Sequence, residues 1–265
     1  MLGWSMNLFR IAGIRLAVHN SFLLLLAYVA WQGAKEGGLF GALEAIVLVL
    51  AFFVCVVLHE LGHSAAAMRF GVRVPRILLM PIGGMAEFDS IPRQPSKEIA
   101  IALAGPAVNF AIIALLWGFV RFPSSWENDP AWEGVNGFLM QLFLANLLMG
   151  TFNLLPAFPM DGGRVLRALL AIRLPYLKAT FIASLVGKVL ACALSAFAFW
   201  NSFWLLGILF LFIVFVGEAE YRSVKRAEFH AEQMKTFMRR YDIQRASTEA
   251  PDPTAQPPGE NEPYR

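Results

Sequence analysis

The residues with the clearest chemical potential lie in Leu58-His59-Glu60-Leu61-Gly62-His63. On a helix, His59 and His63 stand four residues apart and share one face. Two imidazoles in that relation can converge on one zinc ion. The carboxylate of Glu60, next to the first of them, can reach a water at the metal as general base. The setting is unusual for hydrolytic chemistry. The seventeen-residue stretch before it, GALEAIVLVLAFFVCVV, carries a single charged side chain, Glu44. Ionisable residues inside such a helix are costly and are functional by default.

A catalytic zinc ion usually has three protein ligands and one open position. No third histidine follows in the extended HExxHxxGxxH pattern, because Ala66-Ala67-Met68-Arg69 occupies that ground. His19 and His230 are far away in sequence, which leaves the carboxylates Glu87, Asp89, Glu98 and Asp161. The first three read equally well as solvated loop charges. Asp161 follows Pro156 and Pro159, which break a helix, and precedes Gly162-Gly163, which free the backbone. The break points Asp161 at a cavity on the same side as His63. The alternative is an N-cap for a helix running through Arg164 to about Ile172, and the two jobs exclude each other only in part.

The elements that must position these residues are apolar. The chain has 265 residues, 57% hydrophobic and 15% charged, against about 25% charged in soluble domains. Its mean hydropathy is +0.56. This places it among membrane proteins. The net charge of +3 calls for no nucleic-acid partner. Cys55 and Cys192 have neither metal-ligand nor disulfide spacing, although Cys55 shares a helical face with His59. Runs long enough to span occur at about 18–33, 40–66, 98–120, 135–155, 178–199 and 202–218. The first lacks a cleavage signature and reads as a retained span rather than a signal peptide. The expected fold is an all-α polytopic membrane protein with about six transmembrane helices.

Positive charge falls on alternate connections. Arg10, Arg15, Arg69, Arg73, Arg76, Arg93, Lys97, Arg164, Arg167, Arg173 and Lys178 lie on one side, with Lys35 and Arg121 on the other. The positive-inside rule then puts both termini in the cytoplasm and LHELGH toward the cytoplasmic end of its span. Between the second and third spans, Val72–Met80 and Met85–Phe88 can form a short membrane-associated β-hairpin turning at Gly83-Gly84. Such backbone is tolerated at membrane depth only where protein covers it or it lines a wet cavity. Domain organisation is read as a membrane domain over 1–220 and a charged cytoplasmic segment over 221–245, which can be helical. A Pro- and Glu-rich disordered tail over 246–265 follows.

In order, LHELGH, the hairpin with Pro81-Ile82-Gly83-Gly84, and the segment from Asn153 to Arg164 (NLLPAFPMDGGR) resemble the site-2 protease family of intramembrane zinc metalloproteases. The similarity covers about Leu2 to Glu220 and is greatest to a compact, six-span prokaryotic branch that includes sporulation pro-sigma processing proteases. It implies one zinc ion held by His59, His63 and Asp161, with Glu60 as catalytic base. It also implies a hairpin whose edge, here Ile77–Phe88 with Gly83 and Gly84, receives an unwound strand of a single-span membrane protein. Asn153 matches an asparagine near the scissile carbonyl. Gly105-Pro106-Ala107-Val108-Asn109 matches a motif on the third span, where Gly105 and Asn109 either shape the site or pack helices. The resemblance places the chain in a prokaryotic cell membrane. The nucleotide-binding repeats of many members do not match here, so no ATP-binding regulatory domain is expected. Oligomeric state is open.

Three other readings compete. A zinc-binding member that does not cleave is disfavoured by the intact Glu60 and Asp161. A structural zinc site lacks a fourth ligand. For a transporter, Lys188 is the residue best placed to line a path, but it can equally snorkel or face the bundle interior.

Overall fold

A computed structural model describes residues 5–81, 83–89, 92–120 and 130–249. They divide into two compact units, residues 1–221 and 222–265. The first begins with two strands, β1 (Ser5–Ile11) and β2 (Ile14–His19), followed by helix α1 (Ser21–Arg69). Strands β3 (Arg76–Met80) and β4 (Gly83–Glu87) come next, then helices α2 (Pro95–Val120), α3 (Pro130–Asn153), α4 (Asp161–Ala171) and α5 (Tyr176–Trp200). The last helix, α6 (Trp204–Glu249), supplies its residues up to Tyr221 to this unit. The second unit is described from Arg222 to Glu249, a charged helical segment with exposed Phe229, Met234, Phe237 and Tyr241. Residues 250–265, within the expected tail, lie outside the described residues.

Among the described residues, five helices are long and apolar enough to cross a membrane: α1, α2, α3, α5 and α6. The first is two helical arms. Gly37 and Gly38 leave helical geometry, Gly38 at φ +60°, a value open to glycine at little cost. Gly33 packs directly on the backbone of Gly41, and Phe22 meets Phe53 edge-on with ring centroids 4.5 Å apart. Those contacts pair residues symmetrically about Gly37-Gly38, so the arms run antiparallel. Large apolar side chains remain exposed along all five helices, for example Leu24, Phe119, Leu148, Val189 and Phe215, as expected where the outer solvent is lipid.

The hairpin is larger than the sequence suggested. β3 and β4 belong to a four-stranded sheet of order β1-β2-β3-β4. The N-terminal strands pair antiparallel through the turn at Ala12-Gly13, where φ is +51° and +85°, and β2 pairs parallel with β3. The first helix accordingly starts at Ser21 rather than 18, with His19 Nδ1 2.7 Å from the Ser21 hydroxyl. Gly83 and Gly84 are not the turn but the first residues of β4, and the chain turns at Pro81 before them. Alternation sends Ile14, Leu16 and Val18 of β2 and Ile77 and Leu79 of β3 into a core with Phe22, Phe53, Val56 and Ile101. Each such side chain contributes about 1.5–3 kcal/mol by leaving water. This core fixes the sheet against α1.

Helix α2 touches α1, α3 and α4. It also supplies Glu98, expected as a possible loop charge but 1% exposed. Its partner is Arg167 of α4, 2% exposed, whose Nε donates to Glu98 Oε1 at 2.7 Å and whose Nη1 donates to Glu220 Oε1 of α6 at 3.0 Å. The guanidinium also lies 5.1 Å from the ring centroids of Phe158 and Tyr176. Arg167, counted above among the basic residues that set orientation, therefore ties α4 to its neighbours. Removing one member of a buried pair strands the other charge. Arg167→Leu is expected to cost about 3–5 kcal/mol, seen as a lower thermal midpoint in detergent. The double variant Arg167→Leu/Glu98→Gln should recover part of that loss.

Candidate metal centre

The second arm of α1 carries LHELGH on its inner side. His59 is 3% exposed and His63 4%. Their Nε2 atoms lie 3.1 Å apart. Each ring has its other nitrogen engaged. His59 Nδ1 is 2.5 Å from Asn109 Oδ1 and His63 Nδ1 is 2.7 Å from the Ile101 carbonyl, both on α2. An amide oxygen and a carbonyl can only accept, so both Nδ1 atoms carry the hydrogen and both Nε2 atoms present lone pairs. Pro106 cannot donate to Ala102, which opens the helical ladder in the same turn as Ile101.

Asp161 completes the triangle. It is the first residue of α4, whose N-cap is Met160, so Asp161 is not the cap. Its Oδ2 lies 3.4 Å from His59 Nε2 and 3.1 Å from His63 Nε2. The sequence folds this way because Gly162 and Gly163 allow contact that no side chain would. A Cβ on Gly163 would lie 2.7 Å from the Ala157 carbonyl carbon, and one on Gly162 would overlap the carbonyls of Leu154 and Leu155. With both Nε2 lone pairs turned toward it, the Asp161 carboxylate supplies the third ligand atom of the group.

These three ligand atoms can hold one metal ion. Tetrahedral zinc with bonds of about 2.0–2.2 Å separates its ligand atoms by about 3.3–3.6 Å. The observed 3.1, 3.1 and 3.4 Å are close to that spacing. Room for the imidazoles comes from Gly105, where a Cβ would lie 2.5 Å from His63 Cε1 and 2.8 Å from His59 Cε1.

Glu60 is half-buried, and its Oε2 accepts from the Ala86 N–H of β4 at 3.2 Å. Gly84 lies against it: a Cβ there would be 2.7 Å from Glu60 Cγ. Gly83, at φ +134°, has open space. Asn153 is the last residue of α3 and half-buried. The remaining carboxylates have other occupations. Glu87 pairs with Arg76 across β3–β4 at 2.6 Å, which holds its carboxyl below the usual range. Asp89 is exposed and Glu98 is paired with Arg167. Lys188 is paired with Glu218 at 2.8 Å.

One residue escaped the sequence reading. Asn146 of α3 is fully buried, and its Oδ1 accepts from Asn109 Nδ2 at 2.9 Å while its own Nδ2 donates to the Leu142 carbonyl at 2.8 Å. The Cys55 thiol lies beside the same amide. The available signal was an asparagine inside the apolar run FLANLLMG.

Fold and site together define a polytopic membrane protein with a buried His-His-Asp metal centre. The model of peptidase family M50 matches residues 47–126 and 118–194. A zinc metalloprotease of Methanocaldococcus jannaschii is 42% identical over 226 residues, covering 84% of this chain and 62% of its own length. Stage IV sporulation protein FB of Bacillus subtilis is 32% identical over 151 residues, covering 56% of this chain and 48% of its own. The chain thus spans less than two thirds of these curated relatives. The solved site-2 protease from Methanocaldococcus jannaschii matches with a TM-score of 0.60 and 40% identity, over 82% of this chain and 95% of that one. This chain belongs to peptidase family M50, the site-2 protease family.

Groups that orient a metal-bound histidine typically tune affinity 10- to 100-fold. Asn109→Leu is expected to weaken metal binding by about that factor, measured by competition with a chromogenic chelator. Gly105→Ala should displace the imidazoles and give purified protein with little bound metal.

Proposed function

We propose that this chain is an intramembrane zinc metalloprotease. It hydrolyses peptide bonds within or next to the transmembrane segments of single-span membrane proteins, in regulated intramembrane proteolysis. The observation that carries this reading is the triangle of His59 Nε2, His63 Nε2 and Asp161 Oδ2 inside a bundle of membrane-length helices. Six spans are counted when the two arms of α1 are taken separately. The basic residues on alternate connections support cytoplasmic termini.

His59, His63 and Asp161 hold zinc in this reading. Once bound, zinc supplies a Lewis acid that activates water and polarises a carbonyl. Glu60 accepts a proton from the attacking water and delivers it to the leaving amine nitrogen. The carbonyl carbon gains the hydroxyl as the C–N bond breaks. Asn153, the last residue of α3, donates its amide to the oxyanion in this reading. Asn109 holds His59 in the required tautomer, and Gly105 lets the two rings lie against α2.

A substrate helix has its backbone bonded internally and cannot present a scissile bond. It must unwind, and pairing with the strand that starts at Gly83-Gly84 replaces part of what it loses. Substrates are therefore single spans with helix-weakening residues near the cut.

Glu60→Gln should keep about one zinc per chain while cleavage of a co-expressed single-span substrate falls on the order of 10²- to 10⁴-fold. Metal analysis and membrane proteomics, looking for an accumulating single-span protein, read both. Cleavage at the wild-type rate in that variant would sink the mechanism. Solute flux in liposomes that survived the change would favour a transporter.

A further inference from the structure

Glu60 lies against the free edge of the sheet as well as beside the histidines. The side of β4 that faces β3 follows from the register: the Arg15 N–H donates to the Pro75 carbonyl at 3.2 Å, which turns Pro75 and Ile77 toward β2 and Arg76 and Leu78 toward β4, opposite Glu87 and Met85. Backbone groups alternate along a strand, so Met85 and Glu87 turn theirs toward β3 while Gly84 and Ala86 turn theirs away. The Ala86 N–H is the one that Glu60 Oε2 accepts. Gly84, two residues back on the same edge, is where a Cβ would strike Glu60 Cγ. Among the described residues, no strand pairs with β4 on that side. The carboxylate oxygen therefore occupies a place that a carbonyl oxygen of an added strand would take.

We propose that the Ala86 N–H is a shared positioning group, held by Glu60 in the free protein and passed to a peptide carbonyl when an extended strand pairs with β4, which releases Glu60. This rests on the proposed reading of β4 as the substrate-receiving strand. An amide has one hydrogen, so the two acceptors compete for it. Every extended residue carries a carbonyl, so the exchange selects backbone conformation rather than sequence. A helix cannot make it, because its carbonyls are already bonded within the helix. The base is freed only when an unwound segment is in place. Gly84 is the second requirement, since a side chain there would displace Glu60 from the edge.

The test uses the zinc-loaded 265-residue chain in nanodiscs, with ¹⁵N on the Ala86 amide and ¹³C on the Glu60 carboxyl. The probe is an extended Val-Thr peptide whose central amide is replaced by a reduced CH₂–NH link. In wild type, both resonances should shift together along one binding curve. Glu60→Ala should bind the probe about three- to thirtyfold more tightly, the effect of removing a competing charged acceptor. In Ala86→Pro, a change that an edge position tolerates, Glu60→Ala should no longer alter affinity. If the Ala86 amide shifts while the Glu60 carboxyl does not, and Glu60→Ala binds no more tightly, strand docking stands and the exchange is wrong. If neither resonance moves, both fail. The wild-type titration decides even where a variant does not fold.

Discussion

The site depends on the hydrogen bond between His59 and Asn109. An imidazole offers Nε2 to a metal in a fixed orientation when its Nδ1 hydrogen has a fixed acceptor. The Nδ1 hydrogen goes to Asn109 Oδ1, an Asn109 hydrogen goes to Asn146, and Asn146 donates to the Leu142 carbonyl. The relay ends on the backbone. A polar group left open along it would cost about 1–3 kcal/mol, so three helices must keep one mutual rotation. Small residues allow the approach. Cβ atoms on Gly62 and Gly150 would lie 2.7 Å from the Ala104 carbonyl and 3.2 Å from Asn109 Cβ. Ordering the metal ligands and packing α1, α2 and α3 are thus one constraint.

The third ligand arrives from a different quarter but is tied to the same helix. Asp161 opens α4, and Arg167, later on that helix, is bound to Glu98 of α2. The pair is almost completely enclosed and adds little net stability over apolar packing. Its direction is what matters: Arg167 also reaches Glu220, so α4 cannot rotate without separating charges. Helix α2 therefore references both halves of the centre, the histidines through Asn109 and Ile101 and the aspartate through Glu98.

Much of this was legible where the signal was local. The i, i+4 histidines, the Pro-broken segment before Asp161 and the paired glycines after it each state their geometry within a few residues. The partnerships were not legible. Glu98 looked like a loop charge because Arg167 is far along the chain, and Arg167 counted only toward the charge asymmetry for the same reason. The N-terminal strands were hidden as well. Their turn is Ala12-Gly13 rather than an Asn-Gly pair, and a bulge between Asn7 and Phe9 breaks the alternation. The parallel pairing of β2 with β3 joins segments on either side of α1, which no local pattern can announce. Gly83-Gly84 misled because glycine pairs usually mark turns. Here Gly84 is required by the proximity of Glu60 instead.

That hidden hairpin bears on the chemistry. Two strands alone are marginally stable, and β3–β4 alone would place the Ala86 N–H against Glu60 with little to hold it. Pairing β2 on the far side of β3 supplies Ile14, Leu16 and Val18 to the core that already contains Ile77 and Leu79. It also moves one edge of the sheet outward to β1 and leaves the other, at β4, facing α1. A free strand edge is normally a hazard that proteins cover or shorten. This one is short, and its Ala86 N–H is occupied by a carboxylate of the candidate site. The residues before His19 therefore stabilise the position of a strand that meets Glu60, although nothing in their own sequence relates them to the metal ligands.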